Sequence, residues 1–169
     1  MKNNFIPVNK PKLYKQDKKN VLQALKTNWI SSEGSFVKQF EKEFSSFNNR
    51  KFGIAVANGT AALEVAIKSL NIKKNSEIII PSFSIISTAN AVIKNNLKPI
   101  LVDANLSTWN TDPDKILKKI SKRTKAIIIT HIYGLPVDLD QIILEAKKRK
   151  IYIIEDAAEV IGLKYRNKI

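Results

Sequence analysis

Asn58-Gly59-Thr60 brings an amide, a glycine and a hydroxyl together where a helix is expected to begin. Free N–H groups and the helix dipole attract an anion at such a position. The sequence contains neither GxGxxG nor GxxxxGK, so the segment is not a standard dinucleotide fingerprint or a P-loop. A capped helix start that binds nothing is the alternative interpretation.

A second segment places carboxylates after the apolar run 151–154, in Glu155-Asp156-Ala157-Ala158-Glu159. The two alanines are small enough to allow a ligand to approach closely. A half-buried carboxylate needs a cationic partner. A protonated pyridine ring, an arginine or a metal ion would each serve, and an aspartate that only caps the following turn is the structural alternative.

The third segment begins with His131, the one histidine of the chain. A lone histidine at a strand end is more often a hydrogen-bonded structural residue than a catalyst, and a serine triad would have to be built around it. The absence of cysteine excludes disulfides, thiolate nucleophiles and cysteine-ligated metal centres within the chain.

Short apolar runs that alternate with helical patterns must position these segments. The predicted strands are Gly53–Ala57, Glu77–Ile80, Pro99–Val102, Ala126–Thr130 and Ile151–Ile154. The predicted helices between them are Thr60–Leu70, Ile85–Asn95, Asp112–Ile120 and Asp138–Lys150. This alternation predicts a mostly parallel sheet in a three-layer α/β/α domain. Ligands bind beyond the carboxyl ends of such strands, where all three segments fall.

The first part of the chain has a different pattern. Two amphipathic helices are predicted, Leu13–Lys26 and Ser35–Phe47, with a turn-rich segment between them. We therefore divide the chain into an N-terminal helical segment, residues 1–50, and a sheet-containing part, residues 51–169. The segment 161–169 could begin a hairpin.

The net charge of +14, from 29 basic and 15 acidic residues, raises the possibility of a nucleic-acid ligand. Only four of the basic residues are arginine, the side chain preferred for phosphate and base contacts. The lysines are scattered, so we attribute the charge to a composition bias and expect no nucleic-acid partner. No apolar run resembles a signal peptide or approaches the ~20 residues that span a bilayer. We expect a cytoplasmic protein without a membrane partner.

Six blocks in a fixed order resemble the DegT/DnrJ/StrS-type nucleotide-sugar aminotransferases over essentially the whole chain. They are Trp29-Ile30-Ser31-Ser32-x-Gly34-x-Phe36-Val37, Asn58-Gly59-Thr60-Ala61-Ala62-Leu63, Pro81-Ser82-Phe83-Ser84, Thr108-Trp109-Asn110-Thr111-Asp112-Pro113, His131-Ile132-Tyr133-Gly134-x-Pro136-x-Asp138 and Glu155-Asp156-Ala157-Ala158-Glu159-x-x-Gly162. The resemblance implies the large domain of a fold type I, pyridoxal 5'-phosphate-dependent transferase, incomplete at its C-terminus. Glu159, with Gly162 and Tyr165, resembles the perosamine-synthase-like branch.

The resemblance also implies roles for single residues in cofactor binding. Gly59 and Thr60 would hold the cofactor phosphate, Asp156 would pair with the pyridinium nitrogen, and Glu159 would lie near the phenolic oxygen. Ile85 stands where the family usually has a flat side chain over the cofactor ring, so it would supply apolar contact without stacking.

For the substrate, the resemblance places Ser31 and Ser32 near the nucleotide sugar, across a dimer interface, and we add His131 as a substrate-binding candidate. The implied reaction transfers an amino group, from glutamate, to a nucleotide-linked 3-keto or 4-keto sugar for polysaccharide or glycoconjugate synthesis. The family's Schiff-base lysine would lie beyond Ile169, so we expect the 169 residues alone to be an inactive fragment. A sugar dehydratase of the same family, with histidine in place of that lysine, and a non-catalytic binding domain are the alternatives.

Overall fold

The computed structural model describes residues 5–7 and 10–166. The chain forms two compact units, one that ends at Ala55 and one that begins at Val56. We describe each unit by itself.

The first unit contains α1 (Lys15–Lys26) and α2 (Ser35–Phe47). Asp17 accepts a hydrogen bond of 2.7 Å from the backbone N–H of Tyr14, which stabilises the start of α1. On α2, the second of the two predicted amphipathic helices, the Phe40 and Phe44 rings are stacked at 5.3 Å between centroids. Both rings are exposed within this unit.

The strand predicted at Gly53–Ala57 is not formed. Among the described residues no strand pairs with this segment, and the Phe52 and Ile54 side chains are 75% and 74% exposed. The N–H of Ala55 donates instead to the carboxylate of Glu41 on α2, at 2.8 Å. A Cβ atom at Gly53 would clash with the carbonyl oxygen of Glu41, so glycine permits this close approach. An apolar run alone does not make a strand, because a strand also needs a hydrogen-bonded neighbour.

The second unit alternates helices and strands. Its described elements are α3 (Gly59–Ser69), β1 (Glu77–Pro81), α4 (Ile86–Lys94), β2 (Lys98–Val102), α5 (Pro113–Lys119), β3 (Thr124–Thr130), α6 (Asp140–Arg149) and β4 (Tyr152–Asp156). The four strands form one parallel sheet in the order β2-β1-β3-β4. Each of these four strands was predicted to within two residues at both ends.

The sheet is buried on both faces, which explains its continuous isoleucine runs. Successive side chains of a strand point to opposite faces, so Ile78 and Ile80 pack with α3 and α4 while Ile79 packs with α5 and α6. Burial of one isoleucine contributes roughly 1.5–3 kcal/mol relative to leaving it exposed. The two clusters confirm the three-layer α/β/α prediction.

Side chains cap the starts of α3 and α5, whereas the starts of α4 and α6 have no side-chain cap hydrogen bond. Asp112 precedes Pro113, and its carboxylate accepts from the backbone N–H groups of Asp114 and Lys115. Of the possible hairpin, positions 167–169 lie outside the described residues, and Ile161-Gly162 forms a turn.

The amino-terminal edge of the sheet contains a buried carboxylate. Glu77, 4% exposed, forms an ion pair of 2.6 Å with Arg123 and accepts a hydrogen bond of 2.6 Å from Ser121. The N–H of Glu77 also donates to the carbonyl of Arg123. Both carboxylate oxygens are therefore satisfied by this chain.

Candidate active site

The carboxyl ends of β1, β3 and β4 bring the candidate residues of the second unit to one edge of the sheet. In the pairing of β3 with β4, Thr130 lies beside Asp156. The hydroxyl of Ser84, which follows β1, lies 3.4 Å from the hydroxyl of Thr130 and 3.4 Å from that of Thr88. Loops after three strands therefore meet at this edge.

The start of α3 joins the same edge through a hydroxyl pair. Asn58 caps the helix by accepting from the N–H of Ala61 at 2.9 Å. The hydroxyl of Thr60 lies 2.8 Å from that of Ser87, in the first turn of α4. The first turn of α4 thus contacts both the start of α3, through Ser87, and, through Thr88, the Ser84 hydroxyl that lies beside Thr130.

The α3 start also has room and donors for an anion. Among the described residues, the N–H groups of Gly59 and Thr60 have no acceptor, as expected for the first turn of a helix. A Cβ atom built on Gly59 meets nothing within 4 Å. Two amides, a hydroxyl pair and the positive end of the helix dipole thus border open space, which suits a phosphate group.

Asp156 ends β4 with a carboxylate that the described chain does not neutralise. One carboxylate oxygen accepts from the N–H of Ala158 at 3.2 Å. Among the described residues no lysine, arginine or histidine forms an ion pair with it, and no group of carboxylates or histidines there could hold a metal ion. The Asp156 carboxylate is therefore open to a cationic partner from outside the described residues.

Glu159 is fixed to the neighbouring loop. Its carboxylate accepts a hydrogen bond of 2.6 Å from the N–H of Tyr133, which follows β3. Ile85 immediately precedes α4 as its N-cap, has a 65% exposed side chain and is available for apolar contact at this edge.

The His131 ring forms hydrogen bonds within the chain. The residue is 5% exposed, and its Nδ1 atom accepts from the N–H of Val137 at 3.1 Å. The ring proton is therefore assigned to Nε2, which lies 3.5 Å from the carboxylate of Glu155. Both ring nitrogens thus have partners within the chain, as in the structural interpretation of a lone histidine.

Ser31 and Ser32 belong to the first unit, in the turn that precedes α2. The carbonyl of Ser31 accepts from the N–H of Gly34 at 3.1 Å. Both serines are exposed. Their part in a substrate site stays a prediction.

The sequence assigned no role at this edge to two residues that lie beside it, Asn110 and Tyr165. Asn110 is 3% exposed and binds the loop after β3, and Tyr165 donates its hydroxyl to Asp138 at 2.7 Å. The hydrogen bond from Tyr165, followed by one from the N–H of Asp140, lowers the pKa of Asp138 below its ordinary value of 3.8. Asn110 belongs to one of the six family-like blocks, which is the one sequence signal that points to it.

Among the described residues, no helix is long and apolar enough to span a bilayer.

This chain is similar in sequence and in fold to known sugar-modifying enzymes. GDP-perosamine synthase of Escherichia coli O157:H7 is 39% identical over 164 residues, which cover 97% of this chain and 45% of that protein. A crystal structure of an aminotransferase from Psychrobacter cryohalolentis is 32% identical with a TM-score of 0.84, over 92% of this chain and 40% of that chain.

The Escherichia coli GDP-4-keto-6-deoxy-D-mannose-3-dehydratase with bound hydrated pyridoxal phosphate has a similar fold. It is 27% identical with a TM-score of 0.89, over 96% of this chain and 43% of that chain. The chain spans less than half the length of the curated relatives it matches. The model of the DegT/DnrJ/EryC1/StrS aminotransferase family matches residues 11–169, and the chain belongs to this family.

Proposed function

We propose that the carboxyl edge of the sheet is part of the pyridoxal 5'-phosphate site of a nucleotide-sugar aminotransferase. The observation that carries the proposal is the carboxylate of Asp156, which lacks a cationic partner among the described residues and lies on the same edge as the free amides of Gly59 and Thr60. A carboxylate and an anion-binding helix start match the two ends of one cofactor, its ring nitrogen and its phosphate.

Each residue would have a distinct task. Gly59 and Thr60 would bind the phosphate through backbone N–H groups and the hydroxyl. Asp156 would keep the ring nitrogen protonated, because a carboxylate favours the charged form of a nearby base. Glu159 would accept a hydrogen bond near the phenolic oxygen, and Ile85 would exclude water from one face of the ring. When bound, the protonated ring acts as an electron sink for a substrate carbon that loses a proton.

The reaction that we propose transfers an amino group, from glutamate, to a 3-keto or 4-keto sugar of a nucleotide, in a homodimeric enzyme of polysaccharide or glycoconjugate synthesis. Curated relatives of 39% and 40% identity are GDP-perosamine synthases, which supports a sugar aminotransferase over the dehydratase alternative. Ser31 and Ser32 are the substrate-contact candidates under this proposal, whereas His131, buried with both ring nitrogens partnered within the chain, would act through the loop that it holds.

The 169-residue chain itself should bind the cofactor without catalysing the reaction. None of its lysines stands at the position where the resemblance places the Schiff-base lysine. Incubation of the purified chain with glutamate and a nucleotide 4-keto sugar should yield no sugar amine by mass spectrometry. Formation of the amine would overturn this part of the proposal, while the cofactor site would stand.

Pyridoxamine 5'-phosphate is the right probe for the cofactor site, because 25 lysines would react with the aldehyde of pyridoxal phosphate. Titration followed by ligand fluorescence should show one site per chain. Thr60→Val should weaken binding about tenfold, the loss of one hydrogen bond to a charged group. Thr27→Val, which changes a threonine of the first unit, is the matched control and should bind normally. Equal binding of pyridoxamine without its phosphate would contradict the assignment of Gly59 and Thr60.

A further inference from the structure

The loop 131–137, which connects β3 towards α6, is held by side chains from distant parts of the sequence. Asn110 accepts a hydrogen bond of 2.9 Å from the N–H of Ile132 and donates one of 2.8 Å to the carbonyl of Leu135. Glu159 accepts from the N–H of Tyr133 at 2.6 Å. The loop is therefore bound by the segment after β2 and by the segment after β4.

Asn110 is suited to this task because its amide carries an acceptor and donors in one plane. It is 3% exposed, so water cannot replace either of its hydrogen bonds. Its own backbone is fixed, since its carbonyl accepts from the N–H of Asn105 at 2.8 Å. The residue before it, Trp109, packs against the ring of Phe83 at 5.4 Å between centroids.

The loop that Asn110 binds is strained. Tyr133 has a φ of 50° and Gly134 a φ of 82°, two consecutive left-handed residues. For a residue with a side chain this conformation costs roughly 1–2 kcal/mol. Such conformations persist where the surroundings determine them, and they concentrate at functional sites. Asn110 binds the residue before this pair and the residue after it.

We propose that Asn110 is a positioning residue, which fixes the Tyr133 N–H so that it holds the Glu159 carboxylate at the carboxyl edge of the sheet. Glu159 is exposed and lies in a turn, so a single hydrogen bond to a fixed amide determines where its carboxylate lies. That Glu159 faces the cofactor rests on the proposed function. The hydrogen bonds of Asn110 to Ile132 and Leu135, on either side of Tyr133, and of Tyr133 to Glu159 do not depend on it.

Amide hydrogen exchange, measured by NMR on the full 169-residue protein, tests directly whether Asn110 fixes the loop amides. In Asn110→Ala the Tyr133 and Ile132 amides should exchange at least about tenfold faster, with the β3 amide of Ile127 unchanged. Asn90→Ala, the same change at an exposed position of α4, should leave all three amides unchanged. Unchanged exchange at Tyr133 in Asn110→Ala would overturn the proposal. Should Asn110→Ala not fold, Asn110→Asp keeps the acceptor for Ile132, removes the donor to Leu135 and should still accelerate Tyr133.

A double-mutant cycle distinguishes positioning from a general loosening of the loop. Glu159→Ala alone should accelerate Tyr133 and leave Ile132 protected, and adding Asn110→Ala should accelerate Tyr133 by less than the product of the single effects. Fully multiplicative effects would refute the coupling. In the complex with pyridoxamine 5'-phosphate, both single variants should shift the ring absorption band in the same direction. If Asn110→Ala binds pyridoxamine 5'-phosphate without a shift of the absorption band, the positioning of Glu159 is refuted. If no pyridoxamine 5'-phosphate binds to the parent protein, the cofactor site is refuted. In that case the amide exchange rates alone decide whether Asn110 positions the loop.

Discussion

The carboxylates at the two edges of the same sheet differ in the partners that the chain provides for them. At the amino-terminal edge, Glu77 is buried, and Arg123 and Ser121 each bind one of its oxygens at 2.6 Å. At the carboxyl edge, Asp156 receives one backbone N–H at 3.2 Å and, among the described residues, has no cation. The Glu77 carboxylate, satisfied by its own chain, serves the fold, and the proposed function assigns the Asp156 carboxylate to a ligand. Variants of the two carboxylates should therefore separate binding from stability.

Asp156→Asn should give the largest effect on binding. The amide has the same shape but cannot hold a proton on the ring nitrogen, so affinity for pyridoxamine 5'-phosphate should fall by about 10- to 100-fold, or roughly 1.5–3 kcal/mol. The free energy of unfolding in urea should stay within about 0.5 kcal/mol of the parent chain. Asp114→Asn, at an exposed position of α5, is the control and should change neither quantity. Unchanged affinity in Asp156→Asn would remove the assigned role.

Glu77→Gln should show the reverse pattern. The substitution keeps an acceptor for Ser121 but removes the charge that pairs with Arg123, whose side chain is 70% exposed and can regain water. The free energy of unfolding should fall by about 1–2 kcal/mol, with normal binding of pyridoxamine 5'-phosphate. Glu64→Gln, which removes an ion pair with Lys94 on the helix surface, should cost less than about 0.5 kcal/mol. A binding defect in Glu77→Gln would break the distinction between the edges.

Gly59→Ala should separate stability from ligand affinity at the carboxyl edge alone. The added methyl group meets nothing within 4 Å, so the chain without ligand should be as stable as before or more stable by about 0.4–1 kcal/mol. A phosphate at the helix start would compete with that methyl group, so the affinity for pyridoxamine 5'-phosphate should fall several-fold. The urea curve and the fluorescence titration of one variant give both numbers. Unimpaired binding would place the phosphate elsewhere.

The strands of the sheet were predictable because each is specified by a short run of neighbouring residues. Runs such as Ile78–Ile80 and Ile127–Ile129 specify strands buried on both faces, and Asp112-Pro113 specifies a helix start. The strand expected at Gly53–Ala57 failed because pairing depends on a neighbour that a local pattern does not contain.

The candidate site was predictable in part. Asp156 is identified by its position after a predicted strand, and parallel strands bring such positions to one edge. Gly59 and Thr60 are identified by a predicted helix start, and the contact of Thr60 with Ser87 connects them to that edge. The fixation of His131 by Val137 and of the loop by Asn110 arises from tertiary hydrogen bonds between polar side chains and distant amides. No periodicity or spacing encodes such pairs, so the same residues look alike in the sequence whether they bind a ligand or the backbone.

Tyr165→Phe should give the smallest effect and tests whether the carboxyl edge also contains carboxylates that serve the fold. The Tyr165 hydroxyl donates to Asp138, and this bond is the main reason that the pKa of Asp138 lies below its ordinary value of 3.8. A lowered pKa means that the folded state favours the ionised carboxylate, so its stabilisation is present above 3.8 and is lost as the pH falls through the folded pKa. Thermal unfolding of Tyr165→Phe should show a deficit below about 1 kcal/mol at neutral pH, because Asp138 is exposed, and the deficit should shrink as the pH falls below 3.8. The control Tyr152→Phe, at an exposed position of β4, should show no loss of stability. If the loss of stability in Tyr165→Phe does not change with pH, it arises from packing and not from the Asp138 carboxylate.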